Sequence, residues 1–320
     1  MRHPAVRHHL TISVLVAAML LLAACGRADP PKRLTIATGA TGGVYAVYGA
    51  GLAQVVNSSL DGYQAGTVTT AGSVENLQRL ADGKVQVAFT LGDQASDAAL
   101  GRGRFRRPVP LLALGRLYVN YTQVVARAEA GIRSIADLKG RRVSVGANNS
   151  GTQVIAQRIL QSAGIDPATD IQPRELGIAE SAAALRAGQI DALFWSGGLP
   201  TKALTGLAKA TKLVLLPTGD YVRPLQQRYG QVYTTATIRG GAYPGVQSPV
   251  LTIAVDNYLV VRRDMDEDLA YRLTRLLFQH QAELERAHPE ARNLELIGAQ
   301  EVTLLELHPG AARYYAEASG

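Results

Sequence analysis

The sequence predicts an α/β protein of two lobes joined by two crossing strands. Three observations carry this. Strand-like and helix-like segments alternate from Leu34 onward in a chain of 320 residues. Glycine-rich loops follow the predicted strands at their carboxyl ends. Two long β-branched stretches stand where a chain would leave one lobe and later return to it.

The first lobe opens with "RLTIATG" (Arg33–Gly39) as a strand. "YAVYGAGLAQVVN" (Tyr45–Asn57) follows as a helix, with Tyr45, Tyr48, Leu52 and Val56 spaced by three and four. "GTVTTAGS" reads as a strand, "VENLQRLADG" as a helix closed by Gly83, and "VQVAFTLG" as a strand. "VPLLALGRLYVNYTQVVARA" (Val109–Ala128) is too long for one mean strand and is read as the first crossing. In the second lobe "SIADLKG" is a short helix with Ser134 as N-cap, followed by the strand "RRVSVG" and the helix "GTQVIAQRILQSAG". "IAESAAALRAGQ" and "LPTKALTGLAKAT" are helices; "IDALFWSGG" and "KLVLLP" are strands. "TIAVDNYLVVRRD" (Thr252–Asp264) is the return crossing, and helices over 266–287 and 302–318 close the chain. The expected divisions are a signal at 1–24, a tether at 25–32, the first lobe at 33–122, the second at 123–256, and a return segment at 257–320 that packs mainly on the first lobe.

Composition narrows the function classes. The formal charge is +7, but the cations are scattered apart from "GRGRFRR" (Gly101–Arg107), and no basic helix face is interleaved with aromatics. That excludes a nucleic-acid partner. The basic "MRHPAVRHH" and the apolar "LTISVLVAAMLLLAA" (Leu10–Ala24) form an export signal, shorter than a bilayer span. It ends in "LAAC", which looks like a bacterial lipobox with Cys25 as the acylated residue. Cys25 is the only cysteine, so no intramolecular disulfide and no cysteine-rich zinc site is expected. The chain is therefore expected to be exported and lipid-anchored at the cell membrane.

Five loops could carry chemistry. "GATGGVY" (Gly39–Tyr45) fails the phosphate-loop template, and Thr41 breaks the dinucleotide fingerprint. It still offers close-packed amides at a helix N-terminus, which suit an anion; a tight strand-to-helix turn explains the pattern equally well. In "AGSVENL" Ser73 is either a helix cap or a ligand contact. In "LGDQASD" Asp93 either caps the next helix or pairs with a ligand ammonium. "NNSGTQ" repeats the small-polar-plus-glycine chemistry in the second lobe, and in "FWSGGLP" the single tryptophan, Trp195, either walls a pocket or fills core. Outside the signal, His280, His288 and His308 stand away from these loops. No H-E-x-x-H or G-x-S-x-G occurs. No catalytic set, cofactor or metal is expected.

The mature chain resembles the TAXI family of solute receptors, the binding subunits of one class of TRAP transporters. The blocks that carry the resemblance are "TIATGATGGVYAVYGAGLAQVVN", "AGSVENLQRLADGKVQVAFT", "GIRSIADLKGRRVSVGANNSGTQ", "LRAGQIDALFWSGGLP", "GAYPGV", "YLVVRRDMDEDLAY" and "LHPGAARYY", in family order. The resemblance implies a two-lobed type II periplasmic-binding-protein fold with the two crossing strands as hinge. It also implies a small carboxylate ligand, such as a glutamate- or glutamine-like amino acid or another organic acid, and a TRAP-type membrane permease as partner. Family positions carry over to Gly42, Gly43, Tyr45, Ser73, Asn76 and Asp93 in the first lobe. In the second lobe they carry over to Ser150, Gly151, Thr152 and Gln153, and to Gly197, Gly198 and Pro200. Tyr45 and Trp195 are expected to wall the pocket, with Asp93 meeting an amino group if the ligand has one. Where many relatives read Gln-Ser-Asp, this chain has Leu91-Gly92-Asp93, which points to a different specificity. Delivery to an ABC permease or to a membrane sensor kinase is the alternative; an enzyme on the same fold is the weakest reading.

Overall fold

The computed structural model describes residues 30–303 and 305–319. The signal, Cys25 and most of the tether lie outside the described residues. Ten strands form one sheet in the order β2-β1-β3-β10-β4-β7-β5-β6, with β8 paired to β4 and β9 to β10. The first lobe holds β1 (Lys32–Ala37), β2 (Tyr63–Val68) and β3 (Val87–Leu91). β4 (Leu111–Arg127) leads into the second lobe, which holds β5 (Arg142–Ser144), β6 (Gln172–Arg174), β7 (Ala192–Gly197), β8 (Leu213–Leu216) and β9 (Thr234–Ile238). β10 (Val250–Arg262) returns.

Both crossing stretches are single unbroken strands. They pair antiparallel from Ala254↔Tyr121 to Arg262↔Leu111, with register shifts at Asn257/Tyr258 and Leu259/Val260. Because these two strands stay hydrogen-bonded through the crossing, the lobes share one sheet rather than holding two separate ones. β1, β2 and β3 are parallel, as are β5, β6 and β7. Strand carboxyl ends of both lobes therefore face the middle of the molecule, where ligands of such sheets bind.

Helices α1 (Val44–Ser59), α2 (Ser73–Ala81) and α3 (Gly92–Leu100) follow β1, β2 and β3. α4 (Gly151–Ser162), α5 (Ile178–Arg186), α6 (Lys202–Ala210) and α7 (Val222–Tyr229) belong to the second lobe. α8 (Glu267–Gln279), α9 (Gln281–Ala287), α10 (Leu296–Gln300) and α11 (Pro309–Ala318) close the chain. Residues of α8, α9 and α11 share a core with Tyr48, Leu52 and Phe89 of the first lobe.

Several elements depart from the sequence expectations. The segment at Ser134 makes only a 3₁₀ turn, Ala136–Leu138, because Asp137 Oδ2 accepts from the Ser134 amide at 2.9 Å and closes a local turn instead. The helix expected over 266–287 breaks at His280 into α8 and α9. The last helix starts at Pro309, not Val302: proline disfavours a helical residue before it, and His308 accepts from the Gly310 amide as cap. The helix expected after Asp93 is present as α3, with Leu91 and not Asp93 at its cap. The sequence pattern does not announce α7 or β9; β9 is a mostly exposed strand with little apolar signal.

Candidate functional site

A cavity of about 440 Å³, part of it open to solvent, lies between the lobes. Three helix N-termini open on it: Gly43–Tyr45 of α1, Gly72–Ser73 of α2 and Ser150–Thr152 of α4. First-turn amides have no carbonyl partner within their own helix. At α1 and α2 the cap residue is glycine and no side chain caps the first turn. The Gly43 amide donates to the Ala40 carbonyl, the Gly72 amide to Thr70 Oγ1 and the Glu75 amide to the Asn149 carbonyl, each at 3.1 Å, which leaves the amides of Val44, Tyr45, Ser73 and Val74. At α4 the Ser150 Oγ accepts only from the Gln153 amide, at 3.1 Å, which leaves those of Gly151 and Thr152. Converging amides and helix dipoles favour an anion.

No residue lining the cavity is an aspartate, glutamate, lysine, arginine or histidine. The walls are Tyr45, Leu91 and Trp195. Tyr45 donates its phenol to Asn257 Oδ1 at 2.5 Å; burial lifts its pKa well above the ordinary tyrosine value, so the proton stays on. Trp195 donates Nε1 to Thr201 Oγ1 at 3.0 Å, which orients the indole over the first-lobe loop. A Cβ built on Gly43 would lie 3.5 Å from that indole. The requirement for glycine is sharper at Gly151, where a Cβ would lie 2.5 Å from Leu91 Cδ1 and 2.9 Å from Ser73 Oγ. The lobes touch here backbone to backbone, with the Glu75 amide donating to the Asn149 carbonyl at 3.1 Å.

The structure brings Gly43, Tyr45, Ser73, Ser150, Gly151, Thr152, Trp195 and Gly197 to the cavity. It does not bring Gly42, Asn76, Asp93, Gln153, Gly198 or Pro200 there. Gly42 and Pro200 are exposed outside the lining. Asn76 is a staple: its Nδ2 donates to the carbonyls of Thr38 (2.5 Å) and Phe89 (2.8 Å), and its Oδ1 accepts from Thr70. Gln153 donates to Glu175 at 2.7 Å and accepts from the Asn149 amide. Gly198 packs against Glu290, whose Oε1 accepts from the Leu199 amide at 3.0 Å.

Asp93 needs the clearest correction, because the sequence reading has it meeting an amino group. Its carboxylate is buried, and Oδ2 accepts from Arg158 (3.2 Å), Tyr233 (2.8 Å) and Gln94 Nε2 (3.0 Å). Its Oδ1 accepts from the Gln94 amide at 2.8 Å. Both oxygens are spent on the protein. Ser73 also differs from a simple cap: Gly72 is the cap, and Ser73 Oγ accepts from the Leu91 amide at 3.1 Å.

Sequence reasoning misses Tyr118, Asn120 and Ser196, which line the cavity from the crossing strand β4 and from β7. Tyr118 and Asn120 sit in a β-branched run and carry no loop signal, whereas Ser196 lies inside "FWSGGLP" beside the more conspicuous Trp195 and glycines. The one hint is a polar asparagine inside a strand read as buried. No group of three or more metal-ligating side chains occurs among the described residues, and none of the described helices is long and apolar enough to cross a membrane.

Comparison with known proteins agrees with this architecture. PhnD1 from Prochlorococcus marinus (MIT 9301), solved with methylphosphonate, superposes with a TM-score of 0.56 at 12% identity, over 82% of this chain and 90% of that one. The periplasmic aliphatic sulphonate binding protein SsuA from Escherichia coli gives 0.50 at 18%, over 89% and 83%. A putative L-cystine ABC transporter protein from Listeria monocytogenes gives 0.50 at 16%, over 80% and 94%. At these identities the likeness establishes the fold, a two-lobed periplasmic-binding-protein fold, and nothing finer. The sequence profile of the NMT1-like family matches residues 36–319, and the chain belongs to that family.

Proposed function

We propose that this protein is an exported receptor that binds a small anionic solute between its lobes and delivers it to a membrane permease. The observation that carries this is the convergence of three helix N-termini, two of them capped by glycine, on a cavity without charged side chains. A site lined by amides and hydroxyls without a carboxylate, imidazole or amine holds an anion and offers no general base to activate a nucleophile, which supports binding over catalysis. Ligand contacts made from both lobes shift the population toward the closed state.

An ABC-type permease is the favoured partner. The solved proteins of this fold include a putative ABC transporter protein, one solved with methylphosphonate and one named for binding aliphatic sulphonates, both small anions. The TRAP-type permease is the second reading, supported by the TAXI-like blocks, above all "LHPGAARYY". Membrane retention through an acylated Cys25 belongs to the same proposal.

The test is a thermal-shift panel of carboxylates, sulfonates and phosphonates on the purified mature chain. A ligand at 100 times its dissociation constant stabilises by about 2.7 kcal/mol and raises Tm. A panel without any shift overturns the receptor reading. Radiolabelled palmitate incorporated into the wild type but not into Cys25→Ala supports the anchor.

A further inference from the structure

The cavity has a second set of polar groups besides the amides. Tyr118 and Asn120 stand two residues apart on β4, so their side chains share one face of the strand. Both line the cavity. Tyr118 is 2% exposed and Asn120 5% exposed. Neither the Tyr118 hydroxyl nor Asn120 Oδ1 has a hydrogen-bond partner among the described residues. The Asn120 Nδ2 is directed to Ser196 Oγ at 3.4 Å, which leaves Oδ1 as a free acceptor. The Tyr118 carbonyl accepts from Asn257 Nδ2 at 3.3 Å, which fixes its backbone. An unpaired acceptor at this depth is costly, so a ligand group that pairs with it gains more than an ordinary surface hydrogen bond.

The rest of the lining sets a limit. A second carboxylate on the ligand, lying on the side of Tyr45, Leu91 and Trp195, would meet no cation in the lining. Burying an unpaired charge is strongly unfavourable. The buried guanidinium of Arg158 is already held by Asp93 and Asp97.

We propose that Tyr118 and Asn120 read a hydrogen-bond donor beside the ligand's acid group, so that the site takes a small carboxylic acid bearing a hydroxyl or ammonium on its second carbon and rejects a second carboxylate. This rests on the anion-receptor reading above. The carboxylate occupies the helix N-termini, the donor faces β4, and a short apolar substituent lies against Leu91 and Trp195. Hydroxy acids and zwitterionic amino acids present this chemistry alike.

Calorimetric titration of the purified mature protein tests it with propanoate, 2-hydroxypropanoate, alanine, succinate, glutamate and ethanesulfonate. Either 2-hydroxypropanoate or alanine is expected to bind at least about tenfold tighter than propanoate, the worth of one buried hydrogen bond. Whichever of the two wins identifies the donor. Succinate and glutamate are expected to be weaker than the preferred monocarboxylate by about tenfold or more. In Tyr118→Phe and Asn120→Leu the preference over propanoate should fall toward unity. Equal binding of propanoate and both donor-bearing acids, preference retained in both variants, or tight glutamate binding each overturns this inference while leaving the receptor reading intact. Binding of ethanesulfonate alone does the same. Failure of every acid to bind overturns both.

Discussion

Helix α4 presents Gly151 and Thr152 to the cavity and Arg158 to the lobe interface, and these two environments are opposite in chemistry. The cavity has amides and neutral side chains only. The interface beside it concentrates charge: Arg158 is bonded to Asp93 at 3.2 Å, to Asp97 at 2.5 Å and to Tyr233 at 2.7 Å, and its guanidinium lies 3.9 Å from the Tyr229 ring centroid. Burial works against the charge on Arg158, but Tyr233, Asp93 and Asp97 together raise its pKa and keep it protonated. The difference has a physical logic. In this structure the buried ion cluster is satisfied by the protein itself, without a ligand, and joins α3 of the first lobe to α4 of the second. Fixed charges in the cavity would need a partner whenever the ligand is absent, whereas amide dipoles need far less.

This contrast can be broken at several points. The largest effect is expected from Arg158→Met, which leaves Asp93 and Asp97 buried without a cation. Loss of a buried partner costs about 3–5 kcal/mol, read as a fall in urea midpoint. A loss below about 1 kcal/mol would mean that the cluster does not hold the lobes as described.

Gly151→Val comes next. Its Cβ would meet Leu91 and Ser73 across the lobe boundary. Overpacking of about 1–3 kcal/mol should lower ligand affinity roughly 10- to 100-fold. Full affinity in this variant would show that the ligand-bound lobes do not approach at α4.

Ser73→Ala sharpens the comparison at one residue. If Ser73 Oγ serves the Leu91 amide, its removal leaves a buried donor unpaired. Stability should then fall by about 1–3 kcal/mol, more than the affinity for ligand falls. The reverse pattern would return Ser73 to the ligand.

The smallest effect concerns pH. Burial pushes the Glu290 carboxyl above its ordinary pKa, against the opposing hydrogen bonds from Leu199 and Asn293. A raised folded-state pKa contributes stability that is fully present below the unfolded value of about 4.5 and lost as pH rises through the folded one. Glu290→Gln lacks this term, so its Tm at pH 7 relative to pH 4 should be a few degrees more favourable than in the wild type. An unchanged difference would show that Glu290 titrates normally.

Much of the site is legible in the amino-acid sequence. The loops at Gly43, Ser150 and Gly197 stand out because a strand end, a glycine and a helix start are close neighbours in the chain, and the amides they expose follow from local geometry. The alternation of strands and helices leads to the two-lobed plan for the same reason. Asn76 and Asp93 are misplaced by sequence reasoning because their partners are remote: Asn76 bonds Thr38, thirty-eight residues earlier, and Asp93 bonds Arg158, sixty-five residues later. Tyr118 and Asn120 escape it because a strand's pattern tells which face a residue occupies but not which side chains in a crossing run remain unpaired.

Local chain chemistry thus settles which backbone amides lack a partner within their own helix, while the fold decides which of them stay open, as the Glu75 amide taken by the Asn149 carbonyl shows. Folding settles which polar side chains are left for a ligand. Asp93 has already met Arg158, while Asn120 Oδ1 has no partner among the described residues. A side-chain hydrogen-bonding group serves either the protein or the solute, and the choice depends on neighbours that the fold brings together from distant parts of the chain.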